Sequence, residues 1–201
     1  MMLDLRFTPR SLDSLWCQAV VALVFQEDLS TADGLSGLDA KTSGYLSSLN
    51  KRGFWTGAKG EILLVPSQGM IKADKMLLKG LGARADYSLE DFSTRLRETG
   101  YALEKMGVND LAIRISLVEG LEGEYPSQLK AACVHLVAPF LLRHKGESDF
   151  LLKIVVSMDE TFIGKVEDTV QLLKEHFSSR LDCTIICDRR SDNAARSCIE
   201  G

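Results

Sequence analysis

Residues 60–82 have the sequence GEILLVPSQGMIKADKMLLKGLG and carry the strongest fold signal in the chain. Two short apolar runs, at residues 62–66 and 75–81, flank a turn-rich segment that contains Pro66 and Gly69. Runs of this length that are rich in Leu, Ile and Val and bounded by Gly and Pro are typical of buried strands. We therefore expect two central strands here, and we expect the Gly-Leu-Gly exit of the second strand to lead into a helix.

Strands and helices are predicted to alternate along the rest of the chain. Residues 19–25 (AVVALVF) are apolar throughout, and such a strand needs cover on both faces, as in a sheet between two layers of helices. The other predicted strands are residues 2–7, as an edge strand, 110–117, with one face less buried, 150–157 and 181–187. Apolar residues at helical spacing predict helices over residues 33–49, 88–106, 126–143, with Pro139 kinking or ending it, and 161–177.

This alternation predicts the fold class. We expect an α/β protein, a three-layer α/β/α sandwich with a mixed, mostly parallel sheet. Since no internal repeat or long linker divides the chain, we expect one domain over residues 1–187 and a flexible tail over residues 188–201.

Composition excludes several classes of function. The chain has 201 residues, of which 45% are hydrophobic and 26% charged, as in ordinary globular proteins. Its net charge of −4 gives no sign of the basic face that nucleic-acid binding usually needs, although a local basic patch stays open. No apolar run reaches the roughly 18 residues of a membrane span, and the N-terminus lacks the apolar core of a secretory signal. With five sparsely spaced cysteines, we predict a cytoplasmic protein with reduced thiols that binds neither nucleic acid nor membranes.

Catalytic and metal-binding motifs are missing from the sequence. It has no G-x-S-x-G, H-E-x-x-H or C-x-x-C pattern. Cys183 and Cys187 are predicted on one strand, where their Cα atoms would lie about 13 Å apart, too far to share a zinc ion. A metal-dependent hydrolase that uses Asp28, Asp33 or Asp39 is a weaker alternative, because acids are favoured at the start of a helix, where these residues are predicted to lie. We predict no catalytic residue, no metal site and no cofactor.

One pattern suggests a small-ligand site. Residues 80–85 fit G-x-G-x-x-A after a strand, as in dinucleotide-binding turns. In such sites the helix begins at the motif, whereas the best N-cap here, Ser88, lies beyond it. Turn glycines are therefore the favoured interpretation, and a nucleotide-type pocket beside the acidic exit of residues 19–25 stays open. The candidate ligand-binding residues are Asp28, Gly80, Gly82 and Ala83.

Two adjacent aromatic residues, Phe54 and Trp55, lie in the loop over residues 53–60. Because large aromatic side chains are usually mostly buried, we predict that both pack under the loop. The alternative is that they form a surface for a partner or a ligand.

The order of several motifs points to a known family. The passage at residues 51–61 carries Gly57 and Gly60-Glu61 before a strand, the strand at 77–82 ends in Gly-Leu-Gly, and a turn follows at residues 105–109. This set resembles the N-terminal domain of the M17 (cytosol, or leucyl) aminopeptidases. The resemblance covers residues 15–118, and the order of elements agrees over residues 126–178.

The resemblance implies a fold and a role. In that family the N-terminal domain is macro-domain-like and carries none of the chemistry, which belongs to a C-terminal domain with a two-metal site and a signature close to N-T-D-A-E-G-R. This sequence lacks that signature and ends where such a domain would begin. We therefore expect a domain that is not an enzyme and that acts through protein association, with itself or with an aminopeptidase. Many macro domains bind ADP-ribose, but Gln26-Glu27-Asp28 at the corresponding strand exit would repel a diphosphate.

Overall fold

The computed structural model describes residues 1–29, 35–116, 118 and 120–188. The described residues form one seven-stranded sheet, whose order is β3-β4-β2-β5-β6-β1-β7. The strands are β1 (Met2–Thr8), β2 (Ala19–Phe25), β3 (Ile62–Pro66), β4 (Lys75–Gly82), β5 (Asp110–Arg114), β6 (Leu151–Ser157) and β7 (Asp182–Cys187). Neighbouring strands are parallel except for β3 and β4, which are antiparallel. The predicted mixed, mostly parallel sheet is confirmed.

Helices cover both faces of the sheet. They are α1 (Ser36–Lys41), α2 (Tyr45–Lys51), α3 (Leu89–Lys105), α4 (Tyr125–His144), α5 (Glu160–Ile163) and α6 (Glu167–Ser178). Alternate residues of β2 enter two different cores, because successive side chains of a strand point to opposite faces. Val21 packs with the side chains of α3 and α4, whereas Val20 packs with those of α1 and α2. The α/β fold with helices on both sides of the sheet is therefore confirmed.

Three strand predictions need correction. β1 is not an edge strand, since it pairs with both β6 and β7. Asp4 and Arg6 form an ion pair on the more polar face of β1. Their charged side chains alternate with apolar ones along the strand, a pattern that resembles an edge strand. β3 is not central, since among the described strands it pairs only with β4 and forms the other edge of the sheet. β5 is shorter than predicted and ends at Arg114. The face predicted to be less buried carries half-buried Arg114, although Ala112 on the same face is fully buried.

The helix on residues 33–49 and the helix on residues 161–177 are each divided. A turn at Ser43 and Gly44, both with positive φ, separates α1 from α2, and residues 33 and 34 lie outside the described part. A second break at Gly164 separates α5 from α6. The apolar spacing continues across both turns, which explains why it predicted single helices.

The two long helices agree with the sequence prediction. α3 begins after Ser88, whose side chain accepts a hydrogen bond from Asp91 N at 3.1 Å. α4 does not end at Pro139 but continues to His144. Among the described helices, none is long and apolar enough to cross a bilayer. The predicted tail lies outside the described residues from residue 189 onward.

Candidate functional site

The acidic exit of β2 is joined to the segment that follows β4. Asp28 accepts a hydrogen bond from Phe25 N at 3.1 Å and forms an ion pair with the guanidinium of Arg84. Glu27 accepts a hydrogen bond from Arg84 N at 3.1 Å. The Arg84 guanidinium also lies over the Phe25 ring, 4.8 Å from its centroid. These contacts neutralise part of the negative charge that the sequence placed at this strand exit.

The glycines of the Gly-Leu-Gly motif allow a loop to lie directly against β4. A Cβ atom on Gly80 would stand only 2.2 Å from Ala58 O and 2.7 Å from Gly57 O. Gly82 has φ +83° and donates a hydrogen bond to Gly57 O at 3.0 Å. This close approach of two backbones requires glycine. The sequence favoured turn glycines, but both residues lie within β4, where they make room for the loop. The structure places Asp28, Gly82 and Ala83 at neighbouring strand exits, and ligand binding by these residues and Gly80 stays a prediction.

A buried lysine connects this loop to α3. Lys79 Nζ donates to Gly60 O at 2.9 Å and to Glu98 Oε2 at 2.7 Å, although its side chain is almost completely buried. Arg95 Nη1 donates to the same carboxylate at 2.8 Å. Buried charges need such partners, so we assign Lys79 a structural role in fixing the loop. Its partners could not be predicted from sequence, because Gly60 and Glu98 each lie 19 residues from Lys79.

A cleft opens beside the carboxyl end of β5. It has a volume of about 220 Å³ and lies between the turn at Leu12–Ser14, the start of α1, and strands β2 and β5. Its lining combines apolar side chains with two opposite charges: Ser11, Leu12, Asp13, Ala22, Leu23, Leu35, Gly37, Leu38, Arg114 and Ser116. Sequence reasoning missed this site, because Asp13 and Arg114 are distant in the chain and belong to no motif.

The two charged residues of the cleft do not pair with each other. Within the described part of the chain, neither Asp13 nor Arg114 has a side-chain hydrogen bond or an ion pair within 4 Å. Both are half-buried. Asp159 is near enough to sense Arg114: its pKa is lowered mainly by hydrogen bonds from Thr161 and, to a smaller extent, by the Arg114 charge. The lining of the cleft therefore combines one positive and one negative side chain with apolar side chains.

The aromatic pair of the loop over residues 53–60 is divided between interior and surface. Trp55 is 1% exposed, as predicted, whereas Phe54 is 69% exposed, so the prediction that both pack under the loop is wrong for Phe54. Along β3, Ile62 and Leu64 are 43% and 47% exposed. Apolar side chains thus line an open edge of the sheet.

The thiols and imidazoles that the structure describes give no sign of an activated nucleophile or a metal site. Burial raises the pKa of both Cys17 and Cys133 to about 12, which keeps them as thiols at neutral pH. His135 and His176 have lowered pKa values because of partial burial and neighbouring arginines. Among the described residues, no three His, Cys, Asp or Glu side chains converge as metal ligands.

Sequence comparison connects this chain with aminopeptidases. The sequence profile for the N-terminal domain of the cytosol aminopeptidase family matches residues 20–137. A probable cytosol aminopeptidase from Halorhodospira halophila is 29% identical over 92 residues, and one from Dechloromonas aromatica is 33% identical over 76 residues. These alignments cover 46% and 38% of this chain but only 18% and 15% of the two relatives. The resemblance predicted from the sequence is confirmed.

Solved structures of two kinds share the fold. A variant of tomato leucine aminopeptidase has a TM-score of 0.64 at 13% identity, over 83% of this chain and 35% of that chain. A macrodomain variant from Oceanobacillus iheyensis has a TM-score of 0.61 at 11% identity, over 85% and 93%. A Trypanosoma brucei macrodomain in complex with ADP-ribose has a TM-score of 0.56 at 18% identity, over 87% and 68%. At these identities the likeness concerns the fold alone, and it confirms the macro-domain-like architecture.

Proposed function

Because this chain belongs to the cytosol aminopeptidase family, through that family's N-terminal domain, we propose that it is a non-catalytic domain that acts in protein association or in the regulation of an aminopeptidase. The partner is a second copy of the chain or an M17 catalytic protein. The proposed location is the cytoplasm, in keeping with the name of the curated relatives. The open edge of β3 is the observation that carries this proposal.

The backbone of β3 supports pairing with another strand. Gly80 N donates to Glu61 O and Ser67 N donates to Asp74 O, so the odd-numbered residues of this segment bond to β4. Hydrogen-bonding direction alternates along an antiparallel pair, which turns the N–H and C=O groups of Ile62 and Leu64 away from β4. Pro66 is at an outward position, where its missing N–H costs no ladder bond.

The side chains on this edge support the same role. Ile62 and Leu64 are two residues apart, so they lie on one face of the strand and form a continuous apolar strip. Unpaired strand edges are templates for pairing with another chain, and alternate side chains then supply specificity. A partner strand would satisfy the outward backbone groups and cover both side chains.

Light scattering of matched variants tests the proposal. We expect the purified chain to form a discrete oligomer, or a complex with an M17 aminopeptidase from the same source. Leu64→Lys should abolish that association, because it puts a charge into the apolar strip. Leu142→Lys should preserve it, since Leu142 is 74% exposed on α4, away from the strand edge. Equal behaviour of the two variants, or a monomer that ignores the aminopeptidase, would contradict the proposal.

A peptidase assay tests the non-catalytic part separately. The purified chain, supplied with zinc or manganese, should not hydrolyse leucyl-p-nitroanilide or short peptides. Turnover that copurifies with the chain and survives repeated chromatography would overturn this part of the proposal.

A further inference from the structure

The cleft between the Leu12–Ser14 turn, α1 and β5 combines features that select for one kind of small molecule. We propose that it binds a free α-amino acid with an apolar side chain. Arg114 would hold the carboxylate, Asp13 the ammonium group, and the apolar lining the side chain. Binding at this cleft does not depend on the β3 edge, so either proposal can fail without the other.

The charges of the cleft favour a zwitterion. Arg114 presents a guanidinium that can donate two parallel hydrogen bonds to a carboxylate. Asp13 lines the same cleft, and no cation described in the structure lies within ion-pair distance of it. A diphosphate would be repelled by the negative charge of Asp13, and a simple amine would be repelled by the positive charge of Arg114. A ligand with one charge of each sign satisfies both groups.

The size and lining of the cleft favour a single amino acid. Its volume of about 220 Å³ is below the roughly 300–1,000 Å³ of pockets for drug-sized ligands. Leu12, Leu35 and Leu38 are each less than 10% exposed and supply an apolar surface between the charges. An apolar side chain placed there would leave water, whereas a polar one would lose its hydrogen bonds.

The wall that carries Asp13 is held in place before any ligand arrives. Arg10 Nη2 donates to Ser14 O at 2.9 Å, and Ser14 Oγ donates to Ser11 O at 2.8 Å. From the end of β6, Ser157 Oγ donates to Arg10 O at 2.7 Å. Arg114 is the last residue of β5, which is the middle strand of the sheet. Such preorganisation reduces the entropy lost on binding.

Calorimetry with L-leucine and two analogues tests the charge requirement on the unaltered protein. Leucine should bind in the micromolar to millimolar range, and 4-methylpentanoate and isoamylamine, which each lack one charged group, should bind at least tenfold more weakly. If 4-methylpentanoate or inorganic phosphate binds as tightly as leucine, the cleft is a simple anion site and the proposal is wrong. Leucine at about 10 mM would largely saturate a site with a Kd of about 1 mM. Absence of any binding heat at that concentration also overturns the proposal.

Charge-removing variants locate the site. Arg114→Gln and Asp13→Asn should each weaken leucine binding at least tenfold, because each removes one ion-pair partner of the ligand. Arg143→Gln and Asp149→Asn are matched controls on exposed surface and should bind as the unaltered protein does. Urea unfolding of every variant confirms that it is folded. Leucine binding that survives both cleft substitutions in folded protein would place the ligand elsewhere and refute the assignment.

Discussion

Replacing Gly80 with alanine tests the idea that the Gly-Leu-Gly motif serves packing. The new Cβ would lie 2.2 Å from Ala58 O, more than 1 Å inside the 3.4 Å at which ordinary contact begins. Both colliding partners are backbone atoms, so no side-chain rotation can relieve the clash. Overpacking of this kind costs about 1–3 kcal/mol. The loop must move, which also endangers the 3.0 Å hydrogen bonds from Gly60 N to Gly80 O and from Gly82 N to Gly57 O, worth about 1 kcal/mol each.

We therefore expect Gly80→Ala to lower the free energy of unfolding by about 2–4 kcal/mol, a large share of the roughly 5–15 kcal/mol typical of a folded domain. Urea unfolding followed by circular dichroism measures this loss as a lower midpoint. Gly123→Ala is the matched control, because no atom of the described residues beyond its chain neighbours lies within 4 Å of its Cβ position. The reasoning is refuted if the two variants unfold within about 0.5 kcal/mol of each other.

Three further predictions follow from buried or charged groups. Glu98→Gln should destabilise the fold by about 1–2 kcal/mol in urea unfolding, because it removes the charge that faces buried Lys79, and the partial exposure of Glu98 limits the loss. Trp55→Ala should cost about 3–5 kcal/mol in the same assay, since the side chain is fully buried. His135 and His176 have pKa values lowered below 6.5, so the unfolded chain binds more protons below that pH and stability should fall as the pH drops from 7.5 to 5.5. A double His→Gln variant should lose less stability over this range than the unaltered protein, and an equal loss would assign the effect to other groups.

The sequence was sufficient for the class of the fold and for the type of most elements, because these depend on local apolar periodicity. It could not order the strands. The run at residues 62–66 is as apolar as a central strand, yet β3 lies at an edge, and only its pairing partner distinguishes the two cases. Conversely, polar and apolar residues alternate along β1 as they do in many edge strands, but β1 pairs with a strand on each side. Strand order is a property of tertiary contacts, which short patterns do not encode.

The role of the glycines was the feature of the site that the sequence predicted least well. The motif at residues 80–82 has the spacing of a phosphate-binding turn, but the atoms that exclude a side chain there belong to a loop more than 20 residues earlier. The cleft shows the same limit more strongly, because Asp13 and Arg114 are about 100 residues apart in the sequence and line one cleft only in the folded chain. Phe54 and Trp55 are adjacent aromatic residues, yet one is exposed and the other buried, so residue type alone could not predict the burial of either.

Residue-resolved amide hydrogen exchange at β3 tests the proposed association most directly. The amides of Ile62 and Leu64 face away from β4, whereas those of Leu63 and Val65 lie in the ladder. The proposal predicts that the outward amides exchange quickly in dilute protein and become protected at high concentration or with an M17 aminopeptidase, with Leu63 and Val65 protected throughout. Exchange at Ile62 and Leu64 that stays equally fast under all these conditions would contradict association through this edge.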